Sequence, residues 1–160
     1  MDHNHARRAT SLRRKVIDSS RDARGAVAVE FALIAPILIL LVLGILEFGF
    51  GYHAWDVTQN SAREGARAGA VTSNVSEIVA RVRGTSQVLD QDQLQVTVQC
   101  AGAGGGVFGM CGPPDSWLEG DVVRVTVVYT YDYMTPLPGW VALGDQMVLR
   151  STSEARFEGI

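Results

Sequence analysis

The sequence predicts an α+β protein: a single N-terminal transmembrane helix continues into an amphipathic helix, which packs on a small antiparallel sheet of about three strands. Three observations predict it. From Phe31 to Leu46 the run "FALIAPILILLVLGIL" holds no charged or strongly polar side chain. Beyond it, Ala54, Thr58, Ala62, Ala66 and Ala70 recur at every fourth position, a helical spacing. From Leu94 onward the apolar residues change to a period of two, which is the spacing of strands with one buried face.

The first element is a polar leader, residues 1–25, for which weak periodicity predicts no regular structure. It carries seven Arg or Lys against Asp2, Asp18 and Asp22, whereas residues 53–160 carry seven Arg against twelve acids. The net charge of −3 conceals that asymmetry. By the positive-inside rule the basic end stays cytoplasmic and the C-terminal part is exported. A nucleic-acid arm would also be basic, but neither aromatic interleaving nor a recognition helix accompanies this cluster, so no nucleic acid is expected as a partner.

The second element, residues 26–52, is the membrane helix. Only Glu30 and Glu47 interrupt its apolar character, and its 27 residues would reach ~40 Å as a helix, enough for a hydrocarbon core of ~30 Å. Pro36 removes one bond, to the carbonyl of Ala32, a weakness that membrane helices tolerate. An acid inside a span costs about 2.5–3.5 kcal/mol, less near an end, so Glu30 calls for a role or a partner. Glu47 is read as reaching the opposite interface, with no special role.

Residues 53–160 form the exported domain. Its opening helix carries Gly65 and Gly69 beside Ala62 and Ala66, a small-residue stripe. Such a stripe suits the close approach of another helix, or a narrow face lying on the chain's own sheet, and the sequence leaves both open. Asn74, with Glu77 three residues on, resembles a capping box opening "VSEIVARVR", which Gly84 would end. The strands follow as "LQVTVQC", "DVVRVTVVYTYDY" and, more weakly, "MVLRSTSEARFE". The small helix would cover their apolar face. Cys100 and Cys111 lie on the exported side, where disulfides persist, and a bridge between them is expected over two free buried thiols.

The inventory for catalysis is poor. His53 is the sole histidine outside the leader, and no HExxH, GxSxG or Cys/His arrangement occurs. Gly104, Gly106 and Gly109 fit GxGxxG after a strand, but Cys111, Gly112, Pro113 and Pro114 follow where a phosphate-binding helix would have to begin. Asp90 and Asp92 fall short of a calcium loop. No enzyme, cofactor or metal site is expected.

The N-terminal pattern points elsewhere. After the apolar run, "LEFGFGYHAWD" is a poor signal-peptidase site, whereas the small-residue junction Gly25–Ala26 precedes the run. A basic leader, a glycine, then an apolar helix with glutamate fifth and an aromatic sixth, here Glu30 and Phe31, resembles the class III signal of type IV pilins. The stretches "RGAVAVEFALIAPILILLVLGILEFG" and "NSAREGARAGA" resemble the TadE-like proteins, minor pseudopilins of the tight-adherence (Tad/Flp) pilus system. The terminus "RSTSEARFE" resembles the family more loosely. The resemblance implies cleavage between Gly25 and Ala26 by a membrane prepilin peptidase. It also implies other pilin or pseudopilin subunits and the Tad assembly machinery as partners, and a single-pass place in a bacterial cytoplasmic membrane or in a surface pilus. Glu30 would pair with the new α-amine of a neighbouring subunit; the alternative is that it reaches the interface beside Arg24. A second reading is an unprocessed signal anchor whose exported domain binds a ligand or belongs to an envelope secretion complex.

Overall fold

The computed structural model describes residues 3–140 and 144–159, with side chains described from Gly25 onward. The chain divides into two compact units, Met1–Ile45 and Leu46–Ile160. Helix α1, His3–Val71, runs through both. It takes in most of the leader, where the sequence predicted no regular structure. Residues 3–24 contain neither glycine nor proline, so nothing stops a helix nucleated in the apolar run from propagating back along them. Pro36 sits inside the helix without ending it.

In the first unit, from Val27 through Leu41, every large apolar side chain is exposed. A hydrophobic face that no protein atom covers is what a membrane helix presents to lipid. None of its most apolar window is buried.

The second unit opens on the rest of α1, whose burial turns periodic at Glu47: Glu47, Gly51, Ala54, Thr58, Ser61, Ala62, Gly65, Ala66 and Gly69 are all buried. Steps of three and four place them on one stripe. Thr58 and Ser61 are satisfied within the helix, their hydroxyls donating to the carbonyls of Ala54 at 2.7 Å and Thr58 at 3.0 Å. Helix α2, Val75–Thr85, follows a short turn and buries Ile78 and Val82. Asn74 caps it by accepting from the Ser76 amide at 3.0 Å. Glu77 takes the Thr72 hydroxyl at 3.1 Å and does not return to the Asn74 amide, so the capping box is half formed. Gly84 lies inside α2, which ends at Thr85 with Ser86 as its C-cap.

The antiparallel sheet has the order β2-β1-β3-β4, with β1 at Leu94–Ala101, β2 at Gly109–Met110, β3 at Val122–Asp132 and β4 at Gln146–Arg156. β2 is a two-residue addition to the three expected strands, paired through Gln99↔Met110 and Cys100↔Gly109. It arises inside the glycine loop and has too few residues to show a period. β3 is central, with Val123, Val125, Val127, Tyr129 and Tyr131 buried in strict alternation. On the other face the pairs Arg124↔Glu154 and Thr126↔Thr152 bond across to β4, at 2.7 and 3.1 Å. A short helix α3, Leu137–Trp140, lies in the β3–β4 connection.

Candidate functional site

The residues that the sequence marks for processing and assembly lie together at the start of the described side chains. Gly25, Ala26, Glu30 and Phe31 are all exposed on α1, with Phe31 at 67%. Nothing lies within 4 Å of where a Gly25 side chain would stand. Glu30 forms no ion pair among the described residues. The side chain of Arg24, the suggested interfacial neighbour of Glu30, lies outside the described residues. A carboxylate set among exposed apolar residues of a helix is costly to place in a membrane unless a cation pairs with it.

The small-residue stripe has a different setting. A Cβ at Gly65 would collide with Val82 and stand 3.0 Å from Val125; at Gly69 it would stand 2.8 Å from Val123 and 3.4 Å from Ile78. Ala62 and Ala66 are buried beside them. Of the two readings left open, the structure realises the chain's own sheet and α2 as the surface that closes on this stripe.

Cys100 and Cys111 are joined, with Cα atoms 4.9 Å apart, where β1 meets β2. The loop they close contains Gly105 and Gly106 at φ of 74° and 117°. These turns need glycine. No helix follows Gly104, Gly106 and Gly109; β2 and a three-residue 3₁₀ turn, Pro114–Ser116, take its place. The Arg124 guanidinium lies 3.4 Å from the centre of the Phe108 ring, holding the loop to β3. Asp90 accepts the Asp92 amide at 3.0 Å, an ordinary turn, and among the described residues no three His, Cys, Asp or Glu side chains converge.

Glu47 corrects the reading that it has no special role. It is buried, and its carboxylate accepts from the Tyr131 hydroxyl at 2.8 Å and from the amides of Met134 and Thr135 at 3.1 and 2.8 Å. Three donors converge on an acid otherwise too costly to bury. Burial, then the hydrogen bond to Glu47, pushes the Tyr131 phenol above the ordinary tyrosine range. Beside this latch an apolar hollow of about 500 Å³ opens between Phe48, Tyr52 and Trp55 on α1, Tyr133 just beyond β3, and Met147 on β4. Sequence reasoning missed the latch because its partners lie 84–88 residues away. The one available signal was an acid at helical spacing with Gly51, Ala54 and Thr58.

An exposed apolar helix that runs on into an α+β domain defines a class: a single-helix protein compatible with single-pass membrane insertion. Within that class, residues 25–67 match the family described as TadE-like protein, the family that the motifs over this stretch resemble. The match points to a Tad pilus-related role. No curated protein and no solved structure matches the chain.

Proposed function

We propose that the protein is a non-enzymatic minor pseudopilin that takes part in assembling a Tad-type adhesive pilus, after a prepilin peptidase removes residues 1–25. One observation carries this reading. Immediately after the open Gly25–Ala26 junction, α1 presents lipid-facing residues that are broken only by Glu30. A glycine before the cut offers a protease an unhindered backbone, and cutting there creates an α-amine with a pKa near ~8 at the head of the apolar helix. Paired with that amine on a neighbour, Glu30 acts as a register pin, a use that buried polar groups serve in packed helices. The exported domain is the part that meets partners outside the membrane.

Intact mass of the protein isolated from cells with an active peptidase tests the cut: a chain beginning at Ala26, methylated or not, is expected. Glu30→Gln is expected to impair assembly, scored as subunit recovered with sheared pili, and unchanged assembly and processing would remove the pin. The second reading, an unprocessed signal anchor, draws support from the unbroken passage of α1 from His3 into the apolar run. It predicts the full-length mass in the same cells.

A further inference from the structure

We infer that the segment Tyr133–Trp140 is a second membrane contact, seated in the lipid headgroup boundary beside the helix; this rests on the reading of α1 as a membrane span. The argument starts at Glu47. From Ala26 to Leu46 there are twenty-one residues, ~31 Å of helix, which fills a hydrocarbon core of ~30 Å. Glu47, the first charge after that run, therefore marks the bilayer boundary. Because the amides of Met134 and Thr135 donate to Glu47, the segment is held at that same depth.

Its surface suits the place. Tyr133–Trp140 has no charged side chain, yet Met134 and Trp140 are 67% and 69% exposed. Phe48 and Tyr52, exposed on α1 beside Tyr133, add apolar surface there. Tyrosine and tryptophan concentrate at this depth in membrane proteins because an amphipathic ring satisfies both sides of the boundary. Of the three acids at this end of the sheet, two are hydrogen-bonded, and Asp145, whose carbonyl accepts the Tyr133 amide at 3.2 Å, is exposed. Glu47 has its three donors, and Asp132 accepts from Gln93 and Gln146, each at 2.7 Å. The bilayer is the occupant that these features fit.

The test uses the full chain in phosphatidylcholine and phosphatidylglycerol vesicles, with a nitroxide at one introduced cysteine and the native disulfide left oxidised. Met134→Cys and Trp140→Cys replace exposed side chains, so folding is retained. Leu40→Cys reports the span, and Val71→Cys, ~36 Å along α1 from Glu47, reports water. Labels at 134 and 140 are expected to collide with oxygen relative to a water-soluble nickel complex severalfold more often than the label at 71. If they match 71 while 40 reads as lipid, this inference falls and the span stands. If 40 also reads as water, the span falls with it. Immobilised labels at 134 and 140, shielded from both reagents, would mean a protein covers the segment and would equally overturn the proposal.

Discussion

At the scale of single residues, the Glu47 latch and the two helix glycines are the positions most sensitive to change. Glu47→Gln turns one acceptor oxygen into a donor facing backbone amides, and is expected to destabilise the C-terminal domain by about 2–3 kcal/mol. Tyr131→Phe removes a single donor and should cost about 1–2 kcal/mol. Denaturant unfolding of the full chain in micelles measures both. The phenol's folded pKa lies above its unfolded value of ~10, so the latch's stabilisation is whole below about pH 10 and fades as pH rises past it. Absorbance titration should show one of the four tyrosines ionising late, and Tyr131→Phe should abolish that lag. Gly65→Ala forces a methyl against Val82 and Val125, an overpacking that costs about 1–3 kcal/mol. Gly51→Ala meets only ordinary contacts, 3.5 Å from Met147 and 3.8 Å from Tyr131, and should be near neutral in the same assay.

Among the elements, the disulfide and the strands behave differently under perturbation. The Cys100–Cys111 bridge closes a short loop at the end of the sheet remote from Glu47, and the loop's other tether is the Arg124–Phe108 contact. Replacing both cysteines by serine should cost about 2–3 kcal/mol on the chain-entropy account. It should leave β1, β3 and β4 paired, which amide hydrogen exchange would show as lost protection confined to the residues around β2. Alternation made β1, β3 and β4 legible because each buries one face. β2 stayed hidden in its glycine loop. The apolar run was legible because hydropathy is a property of local sequence. Glu47 was not: its partners come from β3 and the connection beyond it, and hydropathy assigned it to the membrane's edge by position alone.

For the molecule as a whole, hydropathy and packing draw different boundaries. Hydropathy ends the apolar segment at Tyr52, whereas the second compact unit begins at Leu46, because Glu47 and Gly51 already belong to its core stripe. A fragment starting at Leu46 is therefore expected to fold. One starting at His53 lacks the latch, and should melt about 10 °C lower in thermal unfolding. The flush seating of Val123 and Val125 against Gly65 and Gly69 has a further outcome for crowded copies. With that flank occupied, a neighbour can approach the upper helix only through its solvent side, where Arg67 is 83% exposed and only loosely engaged by Glu64 at 3.8 Å, with Arg63 exposed alongside. In the proposed assembly, lateral spacing between copies is then expected to depend on ionic strength, loosening in dilute buffer as guanidinium groups repel and tightening once added electrolyte screens them.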